Sequence, residues 1–385
     1  MSGSGTWVRG GSPDAKISLY YTDFAGAVQF VAKRTRLLYS VGFCTTESPD
    51  TGTNAMADTG QPPSRAPAPD DTEQMLACYR RMVLIRKFEE ALNDLFSRNL
   101  LGGTSHFCIG QEACAVGVIS VARDTDYLVS NHRGHGHLLA RGLEPERVMA
   151  ELMGKQTGYC GGRGGSQHMC AMDKAFLGTN GITGGGIPIA TGGAYALKYK
   201  NTDRIVIAFF GDGASNQGTF HESLNMAALW KLPVLYVCEN NLYGMSAPVE
   251  ASTAGPSIAG RAAAYGITGN TCDGMDLLAI REMAAHMIDD VRSGSGPALL
   301  ELRTYRYCGH SKNDPRVYRD REEEDQWHAN DCLARTAGVL SRRGVEKHVL
   351  NAVTDQVRNE VDAAVEAAMS APHGDRKHAL GGVYA

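Results

Sequence analysis

Apolar positions along this chain follow two different periods. Met75, Tyr79, Met82, Val83, Ile85, Phe88, Leu92 and Leu95 recur at three- and four-residue intervals, the spacing of one helix face. Thr72-Glu73-Gln74 stands just ahead of them as a helix-start signal. Further helices are expected over 110–121, over 143–153 behind Glu144-Pro145-Glu146, and over 189–199, where small residues suit close packing. The pattern then changes. Residues 205–210 read Ile-Val-Ile-Ala-Phe-Phe and residues 234–238 read Val-Leu-Tyr-Val-Cys. Such unbroken apolar runs mark strands buried on both faces. Between them, 219–231 predicts a helix with Phe220, Leu224, Ala227 and Ala228 on one side, stopped at Leu232-Pro233. A strand, helix and strand in that order predict a right-handed parallel crossover. A later strand is expected over 298–303, and a charged helical tail from Arg321. The expected fold class is α/β, a parallel sheet flanked by helices.

Residues 1–71 do not share this patterning. Residues 3–14 are polar and glycine-rich, and 48–71 are rich in Ser, Thr, Pro, Gly and Asp. That composition predicts disorder. An apolar stretch, 17–43, lies between them with Lys33, Arg34 and Arg36, but Asp14 and Asp23 count against a targeting peptide. The segment reads as a disordered extension or an over-extended gene start, with Met56 as the alternative start. One domain is expected over 72–385.

A formal net charge of −4 argues against nucleic acid as a partner, since such proteins usually carry a basic footprint. No run of about 20 apolar residues is present, so no membrane span is expected. The ten cysteines include no Cys-x-x-Cys pair and read as reduced thiols of a cytoplasmic protein. The 45 glycines are the informative excess, concentrated between Gly102 and Gly218.

Open parallel sheets bind ligands beyond the carboxyl ends of their strands. Asp212 follows one predicted strand end and Asn241 follows the next. A carboxylate and an amide oxygen there suit a hard cation such as magnesium, which shares its octahedral shell between protein oxygens and phosphates. Gly211 and Gly213 let backbone approach a diphosphate, and the helix after Gly218 brings an electropositive end nearby. The same residues also suit two ligand-free turns. A dinucleotide fold is disfavoured because Asn216 replaces the third glycine, and no Gly-x4-Gly-Lys-Ser/Thr loop occurs.

The run Gly211-Asp-Gly-Ala-Ser-Asn-Gln-Gly218, continuing through Asn225-Met-Ala-Ala-Leu-Trp-Lys-Leu-Pro233 to Cys238-Glu-Asn-Asn-Leu-Tyr243, resembles the thiamine-diphosphate motif of 2-oxoacid and acetoin dehydrogenase alpha subunits. The resemblance extends from about Thr72 toward the C-terminus and does not cover residues 1–70. It implies that Asp212 and Asn241 ligate Mg2+ by side chain and Tyr243 by its carbonyl. Gly213 and Ala214 would line the diphosphate by main chain. Gly181 and Thr183, in Asn180-Gly-Ile-Thr-Gly184, match positions at the cofactor's pyrimidine and centre. Valine is frequent in the family where Thr183 stands, a change of little consequence for a backbone contact.

His132-Arg133-Gly-His-Gly136 is similar to another cofactor segment, with Arg133 as a guanidinium fork for the diphosphate. Pyruvate-type members commonly carry Tyr where His132 stands, and this motif looks more like acetoin-type members. His106 matches an active-site histidine and His310 the histidine of a mobile loop beside the cofactor. The resemblance implies catalytic roles for both, by hydrogen bonding or proton transfer. Ser311 matches a position phosphorylated in some mitochondrial members; a phosphate there would oppose a diphosphate, though the sequence carries no signal for a kinase. His135, His137 and His168 read as positional, His221 as surface or packing, and Trp230 and Trp327 as packing residues.

The family's reaction cleaves acetoin or decarboxylates a 2-oxoacid such as pyruvate, or its branched-chain relatives, and passes the fragment to a lipoyl acyltransferase subunit. A glutamate from a beta subunit completes cofactor activation, so the resemblance implies an alpha-two beta-two heterotetramer. Two other readings remain: a transketolase-like half acting on sugars, and a catalytically silent partner subunit.

Overall fold

The computed structural model describes residues 71–374 and, as strand backbone, residues 19–24 and 27–32. The chain divides into two compact units, 1–65 and 66–385, treated separately below. In the first, strands β1 (Leu19–Phe24) and β2 (Ala27–Ala32) pair antiparallel. The rest of the predicted extension, including Met56, lies outside the described residues.

The second unit opens with α1 (Asp71–Ser97), α2 (Glu112–Ile119), β3 (Tyr127–Val129), α3 (His135–Ala140), α4 (Pro145–Leu152) and β4 (Phe176–Gly178). It continues with α5 (Gly186–Tyr199), β5 (Val206–Gly211), α6 (Gly218–Leu229) and β6 (Val234–Asn240). A short hairpin, β7 (Tyr243–Gly244) with β8 (Ala247–Pro248), leads into α7 (Val249–Ser252). Then come β9 (Thr268–Asp273), α8 (Leu277–Arg292), β10 (Ala298–Arg303), α9 (Arg321–Ala329), α10 (Cys332–Arg342) and α11 (Lys347–Ser370).

Six strands form one sheet in the order β4-β3-β5-β6-β10-β9, every adjacent pair parallel. Alternation along β5 explains its unbroken apolar run. Ile207 and Phe209 join the core beneath α1, α2 and α8, whereas Val206, Ala208 and Phe210 join the core beneath α5 and α6. Both faces are covered, so both must be apolar. From β3 the chain adds β4 on one side, then crosses to β5 on the other. The sheet therefore changes direction between β3 and β5, where a crevice opens at the strands' carboxyl ends.

Two expectations need correction. Asp71 and Thr72 are already helical, so Thr72 does not cap α1 from outside. Trp230 is 40% exposed and is not a core residue. Its ring lies 5.5 Å from Tyr195 on an apolar surface. Trp327 does pack, stacked 5.3 Å from the Tyr305 ring.

Candidate active site

The loops leaving β3, β5, β6 and β10 converge on a cavity of about 310 Å3 at the direction change of the sheet. Of the predicted residues, His132, Arg133, Thr183, Asp212, Gly213, Ala214, Asn241, Tyr243 and His310 line it. His106 and Gly181 do not. His106 stands one layer behind, its ring centroid 4.8 Å from His132 and 4.9 Å from His310. Gly181 backs onto the side chains of Gln167 and His168, while its neighbours Ile182 and Thr183 reach the wall.

Asp212 begins a five-residue 3-10 turn directly after β5, and Asn241 directly follows β6. Both are buried, and among the described residues neither Asp212 Oδ2 nor Asn241 Oδ1 has a hydrogen-bond partner. A buried acceptor left unpaired costs the full desolvation penalty of the group. Burial pushes the Asp212 carboxyl up to about 6, a value that a cation beside it would reverse. The amide of Asn241 is oriented from behind, since its Nδ2 donates to Gln111 Oε1 at 3.0 Å. That bond leaves Oδ1 as the free atom. Two hard oxygen donors are thus present without partners, and the residues fit a magnesium ion. Gly213 approaches Gly244 so closely that a Cβ on it would lie 3.1 Å from the Gly244 Cα. The phenol of Tyr243 donates to Glu323 at 2.9 Å, which commits its side chain away from a metal role.

The 3-10 turn lies between this wall and α6, whose first residue is Gly218. The amides at the cavity are therefore those of the turn, not the α6 terminus expected from the sequence.

Positive charge dominates the opposite wall. Arg133 Nη1 donates to the Phe107 carbonyl at 2.8 Å, and Nη2 to the His310 carbonyl at 2.8 Å. Nη2 also lies 3.2 Å from His310 Nδ1. Arg306, fully buried, lines the same cavity and is held by Cys308, Met245 and Tyr318. Sequence reasoning missed Arg306. The signal was available, because it lies three residues beyond the carboxyl end of β10, at the same end of the sheet as Asp212. Burial, then Arg306, lowers Arg133 to about 9. Burial, then Arg133, lowers His106 to about 3, His132 to about 2 and His310 to about 4. Arg133 and Arg306 are the cationic groups of the cavity, which also holds the carboxylates of Asp212 and Glu239; the two guanidiniums suit phosphate oxygens.

The other histidines are positional. His135 Nδ1 lies 2.7 Å from Glu89 and its Nε2 2.8 Å from Ser166. His137 bridges Ser130 and Glu239. His168 is exposed, and His221 meets the Tyr265 hydroxyl at the surface. Glu239 reaches the cavity wall, but His137 and Asn131 occupy its two oxygens. All nine described cysteines are free.

A family model described as "Dehydrogenase E1 component" matches residues 80–377. The chain is 42% identical over 313 residues to the alpha subunit of acetoin:2,6-dichlorophenolindophenol oxidoreductase of Bacillus subtilis, covering 81% of this chain and 94% of that one. It is 42% identical over 321 residues to the subunit of the same name from Cupriavidus necator, covering 83% and 96%. It is 43% identical over 304 residues to the pyruvate dehydrogenase E1 alpha subunit of Zymomonas mobilis, covering 78% and 86%. The sheet, the cavity at its direction change and these similarities agree: the chain belongs to the dehydrogenase E1 component family, among its alpha subunits.

Proposed function

We propose that this chain is the alpha subunit of a thiamine-diphosphate-dependent dehydrogenase, and that Asp212 and Asn241 would hold the Mg2+ that accompanies the cofactor's diphosphate. The observation that carries this reading is the pair of buried, unpartnered oxygens, Asp212 Oδ2 and Asn241 Oδ1. The Tyr243 carbonyl is the third protein ligand. Gly213 and Ala214 supply main-chain amides, and Arg133 and Arg306 balance the diphosphate charge. Thr183 takes the middle of the cofactor, and Gly181, which stands behind that wall, shapes the loop that carries Thr183.

When bound, thiamine diphosphate supplies the carbanion chemistry that cleaves a bond beside a carbonyl. The protein's part is to bind, orient and exclude water. Burial and Arg133 hold His132 and His310 neutral; Arg133 engages His310 Nδ1, so His310 offers a substrate its Nε2–H, while His132 lines the cavity beside it. His106 acts behind them. Glu239 is committed to His137 and Asn131; the resemblance implies that the glutamate activating the cofactor would come from a beta subunit.

Acetoin is the favoured substrate, on the strength of His132 in the motif that runs to His137. Pyruvate is the second reading, because relatives bearing either name are almost equally similar. The fragment passes to a lipoyl acyltransferase. An apolar face on α5 and α6, with Tyr195, Tyr199, Met226, Leu229 and Trp230 exposed, supports assembly with a partner chain in an alpha-two beta-two heterotetramer. Among the described residues, no helix is long and apolar enough to cross a membrane. The free thiols support a cytoplasmic setting.

The test is dye reduction by the chain co-expressed with its beta subunit, with thiamine diphosphate and Mg2+, across acetoin, pyruvate and branched 2-oxoacids. Preferential turnover of acetoin is expected. A cofactor-loaded complex that turns over none of them would favour the silent-partner reading.

A further inference from the structure

Gln167 lies outside the cavity, in the glycine-rich segment between α4 and β4, yet it reaches the histidine cluster. Its Nε2 is 2.9 Å from His106 Nδ1. The segment carrying it is held at several points. Glu151, buried on α4, accepts backbone N–H groups from Cys160, Gly162, Gly164 and Gly165 at 2.7 to 3.2 Å. Ser166, the residue before Gln167, is anchored on His135, which Glu89 orients in turn. On the far side, the amide oxygen of Gln167 fills the space beside Gly181, where a Cβ would lie 2.6 Å from it. The amide is therefore wedged between Gly181 and the His106 ring.

We propose that Gln167 is a positioning residue that fixes His106 as a neutral imidazole with its proton on Nε2. With its Nε2 toward the ring, the Gln167 amide donates, and the Nδ1 it meets then carries a lone pair. In a neutral ring the remaining proton then sits on Nε2. Protonating His106 would set an N–H against an N–H, so the contact itself opposes the imidazolium. The charged and titratable groups facing His106 act in the same direction. These are Arg133, Arg306, His132, His135 and His310, and none supplies a negative charge. Gln167 thereby holds one fixed hydrogen-bond polarity behind His132 and His310. This inference rests on the reading of the cavity as the cofactor and substrate site.

Two variants test it in the assembled alpha–beta complex, Gln167→Glu and Gln167→Met. Histidine Cε1 hydrogen–deuterium exchange, read by mass spectrometry, follows the titration of His106 without any need for activity. In the parent complex His106 should not titrate between pH 5 and 9. In Gln167→Glu the carboxylate accepts from Nδ1–H and stabilises the imidazolium, so the His106 midpoint should rise into that window. Gln167→Met removes the bond at similar volume but leaves burial, Arg133 and Arg306 in place, so the His106 midpoint should stay below pH 5. In turnover, Gln167→Met should lose about 10-fold in kcat, with KM and cofactor affinity within about twofold, as befits a group acting on acid–base chemistry. In Gln167→Glu the acid limb of the pH profile should move upward. A glutamate variant whose His106 exchanges as in the methionine variant would overturn the proposal, as would a methionine variant with unchanged kcat. Absence of turnover in the parent complex would instead count against the functional reading, and the exchange measurement would still decide the role of Gln167.

Discussion

Asp212 and Asn241 leave neighbouring parallel strands at the same end of the sheet and present two buried oxygens without a hydrogen-bond partner among the described residues. On the same cavity wall Glu239 is paired with His137 and Asn131, whereas the other unpartnered atoms nearby, Glu89 Oε2 and Gln111 Nε2, lie behind the wall and do not line the cavity. The proposed cation site is therefore held at a cost to the free chain.

That cost is measurable. Burial holds the Asp212 carboxyl up near 6, so in the cofactor-free chain its ionised form is destabilising at pH 7 by up to about 3 kcal/mol. Asp212→Asn should therefore raise the thermal midpoint of the cofactor-free protein while removing a metal ligand. Calorimetry without metal checks the direction; a lowered midpoint would mean that the carboxylate has a partner in the fold.

The histidine cluster gives a pH dependence. His106, His132 and His310 all have folded-state values below the ordinary imidazole value of 6.5. A depressed group contributes stability that is present above its unfolded value and lost as pH falls toward the folded one. Between about pH 6.5 and 4, each unfolded histidine takes a proton that the folded one refuses, at about 1.4 kcal/mol per pH unit. Stability should fall steeply on acidification, and His132→Asn should flatten that slope. Urea unfolding at stepped pH reads the effect.

Arg306 is the guanidinium that pattern reading overlooked. Arg306→Met should weaken diphosphate binding by about 10- to 100-fold, the scale of a charge-assisted hydrogen bond. Fluorescence titration with thiamine diphosphate and with inorganic pyrophosphate would show it. Equal affinity in the variant would remove Arg306 from the cofactor set.

The exposed apolar face predicts a separable defect. Trp230→Glu should leave the fold of the isolated chain intact, because 40% of Trp230 is already in water. It should weaken assembly with the beta subunit by about 10-fold or more, since buried tryptophans are common energetic anchors of interfaces. Size-exclusion chromatography of the co-expressed pair distinguishes this from general misfolding.

Much of the framework was legible because its signals were long. The buried runs of β5 and β6 and the α1 periodicity extend over enough residues to be unambiguous, and the positions beyond their strand ends follow from sheet geometry. The missed elements are short or atypical. Strands β3 and β4 have three residues each, α3 has six, and the edge strand β9 reads Thr-Gly-Asn-Thr-Cys-Asp, with most of its residues exposed. No apolar pattern could announce them. His106 matched the site by motif, but its layer behind His132 and His310 depends on packing between distant segments. Trp230 misled because a helix that packs on the sheet by one face can offer the other to a partner chain, and one sequence does not distinguish the two.

The most direct measurement is a thiamine diphosphate titration of the assembled alpha–beta complex, with Mg2+ and then with a chelator, in the parent and in Asp212→Asn. The expected result is tight binding that requires the metal and is lost in the variant. Metal-independent binding, or equal affinity in Asp212→Asn, would contradict the assignment of Asp212 and Asn241 as the cation site.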